Sequence, residues 1–211
     1  MLALGLMIAA AFAAAAPAQT PAQLPPVDRC RDDAGFSQFR SALEDAVTRK
    51  DPAALRRLVA DDVRSNFGGD GSWDEFASTW ALNQPQKSAL WKEMQEVMAL
   101  GCAKTEDGGR VFPGLFEDMG DDADPFELLV IRPGAGLHSA PDKNASSTNT
   151  RDWASSIQLE SPAPDGWVQV QVPGGDAGWV EADLTISPLD YRLVSELRDG
   201  RWQVTAFVAG D

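Results

Sequence analysis

The chain has little of what most enzyme active sites are built from. It holds one histidine, His138, and two cysteines, Cys30 and Cys102, in 211 residues. If the cysteines pair with each other, no thiol is left for a Cys–His dyad. A zinc site needs several nitrogen or sulfur ligands, which this composition does not supply. We find no catalytic constellation, expect no metal or cofactor, and interpret His138 as a loop residue.

Positive charge is also scarce. The chain has 18 Lys and Arg against 32 Asp and Glu, a net charge of −14, with no basic stripe. Such a surface repels phosphate backbones and anionic lipids, so nucleic acid is excluded as a partner. The acidic residues gathered around Gly120 do not have the spacing of an EF-hand loop. We interpret them as a solvated linker rather than a Ca²⁺ site.

Long apolar runs are missing from the sequence except at its start. Residues 1–16 carry no charge and are mostly Ala, Leu, Ile, Met and Phe. This run is too short for a stop-transfer helix, and Ala16-Pro17-Ala18 fits a signal-peptidase site. We predict a signal peptide over residues 1–18, with a buried N-terminal helix as the alternative. The mature chain would then be periplasmic or secreted, with no stable membrane insertion.

An exported chain with an even number of cysteines predicts a disulfide, here Cys30–Cys102. The bond would pin the segment before the first helix to the end of a later helix. In the chain-entropy model, closing so long a loop stabilises the fold by about 4 kcal/mol. Two free buried thiols are the alternative.

The first part of the chain predicts a leader followed by helices. Residues 19–34 are rich in Pro, Ala and Gln and are interpreted as a flexible linker. Residues 35–104 are interpreted as a helical domain. Its first helix has one apolar face, formed by Phe36, Phe39, Leu43 and Val47. The apolar residues of this face recur at helical spacing.

Capping signals mark the later helices of this domain. Asp51 followed by Pro52 is typical of an N-cap and a first helical residue. Ser72 and Glu75 form a capping box. Gly101 follows an apolar helical pattern over residues 88–100 and is a natural helix stop.

A doubled Trp-Val signature dominates the second half of the chain, after a segment rich in Gly, Asp and Glu (residues 105–124) that we interpret as an acidic linker. Residues 166–170 are Gly-Trp-Val-Gln-Val, and residues 178–180 are Gly-Trp-Val. Each alternates in the manner of a half-buried strand, and the Pro, Gly and Asp residues between them indicate a turn.

These strands, with Ala182-Asp183-Leu184 after them, resemble a bacterial SH3 domain of the cell envelope over residues 126–190. The resemblance implies a small SH3-like barrel over about residues 125–190 that binds a cell-wall peptide or glycan, or a partner protein. An insert around residues 144–151 departs from the common pattern. Trp153, Trp167 and Trp179 fall on the predicted barrel strands. They are the candidate ligand-binding residues, although the sequence favours core packing as the role of each.

The C-terminal residues 191–211 predict a further hairpin, with Asp199-Gly200 at its turn. Its apolar residues need a partner surface, so we expect it to pack on the N-terminal helices. Residues 46–63 and the hairpin motif Asp-Gly-Arg-Trp resemble parts of NTF2-like domains. That resemblance implies a single α+β unit, closed by the hairpin, into which the barrel is inserted.

The sequence therefore predicts an α+β protein with an N-terminal helical domain, a C-terminal SH3-like β-barrel and an extra C-terminal hairpin. The function it favours is that of an exported, non-enzymatic binding protein that recognises a cell-envelope peptide, glycan or partner protein. The alternative is an NTF2-like pocket protein that binds or converts a small molecule, using a buried carboxylate such as Asp61 or Asp62.

Overall fold

The computed structural model describes residues 23–66, 68, 71–121, 123–159 and 162–210. The predicted signal peptide lies outside the described residues. The described chain is a mixture of helices and antiparallel-rich sheets. None of its helices has the length and apolar composition needed to cross a bilayer.

The described residues form four α-helices. They are α1 (Ala34–Thr48), α2 (Pro52–Arg56), α3 (Trp73–Thr79) and α4 (Leu90–Ala99). The two with predicted N-caps, α2 and α3, begin where those caps predict. Asp51 caps α2 by accepting a hydrogen bond from the Ala54 N–H at 2.9 Å, and the Ser72 hydroxyl accepts one from the Glu75 N–H at 3.1 Å. The α1 face predicted from spacing is buried. These local predictions are confirmed.

The strands form two sheets. They are β1 (Val59–Arg64), β2 (Ala103–Lys104), β3 (Arg110–Phe112), β4 (Leu128–Ile131), β5 (Gly136–His138), β6 (Ser147–Asn149), β7 (Ala154–Gln158), β8 (Trp167–Gln171), β9 (Ala177–Glu181), β10 (Thr185–Ile186), β11 (Arg192–Arg198) and β12 (Arg201–Val208). One sheet has the order β1-β12-β11-β3-β2, and the other β10-β4-β7-β8-β9-β5-β6.

The C-terminal hairpin lies inside the first sheet. Strand β12 pairs in parallel with β1, and β11 pairs antiparallel with β3. The ring of Phe207 lies 5.3 Å from that of Trp80, and the ring of Trp202 lies 5.0 Å from that of Phe36. The N-terminal half is thus not purely helical. Its helices pack on a sheet formed by β1, β2 and β3 of that half together with β11 and β12 of the C-terminal hairpin. The second sheet is inserted between β3 and β11.

The prediction of an acidic surface linker over residues 105–124 is wrong. Strand β3 lies within this segment and is buried between β2 and β11. Leu115 is also fully buried. The segment escaped prediction because a three-residue strand shows no periodicity, and the surrounding Gly, Asp and Glu residues dominate its composition.

The second sheet has its own apolar core. All four residues of β4 are buried. Leu129 and Ile131 pack in this core with Val170 and Val180. Leu128 and Val130 pack on the opposite face of the strand in a second apolar cluster. A 3₁₀ turn over Ala182–Leu184 precedes β10, as predicted. Among the described residues, β10 and β6 are the edge strands of this sheet and do not pair with each other. The predicted barrel is therefore an open sheet in its hydrogen bonding.

A separate apolar cluster joins the two sheets. We call it the junction cluster. Its buried members are Leu24, Leu100, Leu115, Leu128, Val130 and Ile186. Leu24 comes from the segment interpreted as a flexible leader, and its N–H donates to the Trp153 carbonyl at 2.8 Å. In its described part, therefore, the leader is a structured strap between the sheets.

The strap is also held by the predicted disulfide. Cys30 and Cys102 are bonded, with Cα atoms 5.7 Å apart, and both are buried. The Arg29 N–H donates to the Cys102 carbonyl at 2.8 Å. Gly101 has a φ of +85°, and a Cβ there would lie 2.5 Å from the Val27 carbonyl oxygen. Only glycine therefore lets the strap pass so close to the end of α4.

Candidate ligand-binding surface

Trp167 and Trp179 lie on the outer face of the second sheet. Along β8, Val168 and Val170 face the apolar core, and Trp167 alternates with them. Along β9, Gly178 and Val180 are buried, whereas Trp179 is half-buried. Successive side chains of a strand point to opposite faces, so both indoles point away from the core. Core packing, the role that the sequence favours for these residues, is wrong for both, since neither belongs to an apolar core of the described residues.

His138 joins the two tryptophans. It lies on β5 directly opposite Trp179, and its ring meets that of Trp167 edge to face with centroids 5.2 Å apart. Trp167 is the diagonal neighbour of Trp179 across β8 and β9. Diagonal neighbours on one face lie about 7–8 Å apart, within reach of large rings. We call His138, Trp167 and Trp179 the aromatic shelf.

The interpretation of His138 as a loop residue is wrong, because His138 lies on β5, which pairs with the distant strand β9. Gly178 makes that pairing possible, since a Cβ there would lie 2.6 Å from Leu137 Cγ. Leu137 therefore packs inward through the gap at Gly178, and the next residue, His138, points outward. The His138 Nδ1 atom is buried and has no hydrogen-bond partner among the described residues.

Polar groups border the aromatic shelf. Gln169 lies opposite Trp179, and Glu181 lies opposite Trp167. The Glu181 carboxylate pairs with Lys143 Nζ at 2.5 Å. The hydrogen bond that Lys143 donates to Glu181, together with the negative charge of that carboxylate, raises the pKa of Lys143 above its usual range. The border thus offers an amide, a carboxylate and an ammonium group to a ligand lying on the rings.

A small cavity of about 190 Å³ lies next to His138. Its walls include the hydroxyl residues Ser139, Ser146, Ser147 and Thr148. The Ser139 and Ser146 hydroxyls lie 2.9 Å apart. The insert around residues 144–151 builds this wall, because its strand β6 pairs with β5. It extends the surface beside the shelf.

Trp153, the third predicted ligand-binding tryptophan, does not belong to the shelf. It lies in the turn just before β7, with a φ of +57°, and packs against the junction cluster. Its carbonyl accepts the Leu24 N–H described above. Trp153 therefore anchors the strap, and its assignment to a barrel strand is wrong.

The alternative site at Asp61 and Asp62 is wrong for a similar reason. Both residues lie on β1 and are exposed, with side chains 89% and 65% accessible to solvent. Asp61 pairs with Arg56, and Asp62 accepts hydrogen bonds from Arg198 at 2.7 and 2.9 Å. Neither is a buried carboxylate in an apolar pocket.

Among the described residues, one group has metal-ligand spacing, namely Asp28, Cys30 and Cys102. Its two sulfur atoms are bonded to each other and so are not free to bind a metal. Two acidic residues near Gly120 have partners in the fold, since Asp118 pairs with Arg29 and Asp124 accepts from the Phe126 N–H at 2.8 Å. Comparison of the chain with protein-family models, curated proteins and solved structures finds no match.

Proposed function

We propose that this protein is an exported, non-enzymatic binding protein whose SH3-like second sheet recognises the cell-wall polymer peptidoglycan through the aromatic shelf. The observation that carries the proposal is the outward placement of Trp167 and Trp179. Both rings remain partly exposed beside His138, while aliphatic residues fill the core beneath them. Tryptophan at a surface is costly to expose and is enriched where binding energy is concentrated.

The chemistry of the surface favours a polar, uncharged or weakly charged polymer. Flat indole faces suit sugar rings and extended peptides, which have apolar faces and polar edges. The amide of Gln169 and the hydroxyls next to His138 provide hydrogen bonds at the rim. Since the protein carries a net charge of −14, a strongly anionic polymer is a poor ligand.

The order of the strands supports an SH3-like arrangement. Strands β4, β7, β8 and β9 are consecutive antiparallel neighbours, and the β5–β6 arm returns to the free side of β9. The short β10 follows a 3₁₀ turn and pairs with β4.

Export is supported by the buried disulfide. Disulfides persist in oxidising compartments and are rare in the cytosol. The Cys30–Cys102 bond ties the strap to the end of α4, so it is part of the folded structure rather than an exposed thiol pair. A periplasmic or secreted location fits this bond and the apolar N-terminal sequence.

The proposal is tested by co-sedimentation with purified peptidoglycan. Trp167→Ala and Trp179→Ala are each expected to weaken retention by about tenfold or more, as for central aromatic anchors. The matched control is Ile157→Ala, which removes a side chain that is 46% exposed on β7 of the same sheet. Isolated glycan strands and isolated stem peptides, used as competitors, identify the part that is bound.

Unchanged retention of both tryptophan variants would overturn the proposal, as would an absence of binding by the native protein. Capture of an envelope protein in place of the polymer, lost in the same variants, would replace peptidoglycan with a protein partner. Thermal unfolding of each variant is measured in parallel, so that a loss of binding is not confused with a loss of fold.

A further inference from the structure

A second surface on the other sheet has a different chemistry. A groove of about 590 Å³ opens between the start of α1 and the turn of the β11–β12 hairpin. Its apolar walls are Phe39, Leu58, Leu197 and Trp202. We propose that this groove, which we call the Trp202 groove, binds a small organic anion that combines one carboxylate with an alkyl or aryl body.

The apolar part of the groove is open to solvent. Leu197 is 57% exposed, and Leu58 and Trp202 are half-buried. Trp202 is fixed from behind, since its ring packs edge to face on Phe36 and under the Arg110 guanidinium at 4.8 Å. The groove thus has a rigid aromatic wall, and its volume lies in the range of small-molecule sites.

Two arginine side chains at the groove favour an anionic ligand. Arg57 and Arg201 both line it, both are exposed, and neither forms an ion pair with any described residue. Their neighbours differ, since Arg56 and Arg198 are each matched with an aspartate of β1. Guanidinium groups bind carboxylates through paired hydrogen bonds. Arg57 acts on Asp51 through its charge but forms no salt bridge with it, so both arginines can bind such a group.

The remaining polar groups of the groove do not compete for these arginines. Asp33 is its one acidic lining residue, and its carboxylate accepts from the Phe36 N–H at 3.0 Å and from Arg110 at 2.7 Å. Gln38 and Gln203 offer amide donors at the rim. The lining therefore carries an excess of donors and positive charge, in a protein whose net charge is −14.

The combination of charge and shape defines the ligand class. A cation would be repelled by Arg57 and Arg201, and a purely apolar ligand would leave both guanidinium groups unused. A highly charged phosphate compound would gain from the arginines but not from Leu197 and Trp202. An amphipathic monocarboxylate uses both parts of the groove, which is why we assign it as the occupant.

Titration calorimetry with decanoate and with 2-naphthoate tests the assignment. The native protein is expected to bind at least one of them, and the double variant R57Q/R201Q to bind about tenfold more weakly or worse. The control R64Q removes an exposed arginine of β1 that does not line the groove and should leave affinity unchanged. A second variant, Leu197→Glu, places a negative charge in the groove and should abolish binding.

Decanol and decyltrimethylammonium separate the outcomes. If either binds as tightly as decanoate, the groove is a general apolar patch and the assignment is overturned. It is also overturned if neither carboxylate binds, or if R57Q/R201Q binds as the native protein does. The Trp202 groove and the aromatic shelf lie on different sheets, so Trp167→Ala is expected to leave carboxylate binding unchanged.

Discussion

Trp202 and Phe36 pack edge to face, with ring centroids 5.0 Å apart and ring planes at 70°. The contact joins β12 to α1. Arg110 of β3 lies over both rings, 4.8 Å from the centroid of Trp202 and 5.5 Å from that of Phe36. Three segments that are distant in sequence therefore meet at one point, on the side of the sheet that α1 covers.

This arrangement predicts the effect of removing the hairpin. Truncation after Asp190 deletes β11 and β12, which lie between β1 and β3 in the sheet. The N-terminal half should then lose its cooperative unfolding transition, because β1 and β3 lose their pairing partners. Calorimetry and circular dichroism measure this directly. An unchanged single transition in the shortened protein would mean that the hairpin is peripheral.

The disulfide is expected to contribute strongly to stability. Replacing Cys30 and Cys102 together with Ala should lower the free energy of unfolding by about 4 kcal/mol, because the loop that the bond closes is long. Denaturant unfolding of the variant and of the native protein gives this difference. Mass spectrometry after alkylation of the native, unreduced protein should find no modified cysteine, and two alkylated thiols would contradict the bond.

The ionisation of Asp28 predicts how the stability of the fold changes at acidic pH. Burial opposes its ionisation, but hydrogen bonds from Arg40, the Cys30 N–H and Arg31 outweigh burial and hold the pKa of this carboxyl below its usual range. A carboxyl whose pKa is lower in the folded state stabilises the fold above its unfolded pKa, about 3.9 for Asp, and loses that effect as pH falls through the folded pKa. Asp28→Asn should therefore destabilise the protein at pH 7, and the difference should shrink below about pH 4.

Unfolding measurements between pH 7 and pH 2 check the Asp28 prediction. Asp176→Asn serves as the control, since Asp176 is exposed in a turn and forms no ion pair among the described residues. A difference between Asp28→Asn and the native protein that stays constant across this range would show that the Asp28 charge does not matter.

The outward tryptophans should cost little stability when removed. Trp167→Ala and Trp179→Ala are expected to destabilise the protein by about 1 kcal/mol each, because neither ring fills a core. Trp91→Ala is the matched comparison, since Trp91 is 1% exposed, and it should cost about 3–5 kcal/mol. Equal losses for Trp179→Ala and Trp91→Ala would place Trp179 back in a core.

Local features of the fold could be predicted from the sequence because their causes are local. The caps at Asp51 and Ser72 and the hairpin turn at Asp199-Gly200 each depend on a few adjacent residues. The disulfide followed from the count of two cysteines in a chain whose sequence predicts export. The buried strand β3 could not be predicted, because three residues are too few to show a periodic pattern. One of its two partner strands, β11, is also distant in the sequence.

The candidate site shows the same division. The alternation in Trp-Val-Gln-Val-Gln places Trp167 on the face of Gln169 and Gln171, so its outward direction was available from the sequence. The position of His138 was not available, because it depends on the pairing of β5 with β9. Nor was the role of Trp153, which is set by the contact between the strap and the junction cluster.

Contact between the aromatic shelf and its ligand can be observed through the indole N–H signals of the tryptophans. In ¹⁵N-correlated spectra, assigned through single Trp→Phe variants, a soluble peptidoglycan fragment is added stepwise. The signals of Trp167 and Trp179 are expected to shift with added fragment, while those of Trp80 and Trp91, which lie in the core of the first sheet, are expected to stay in place. Shifts confined to other tryptophans, or no shift at saturating fragment, would contradict binding at the aromatic shelf.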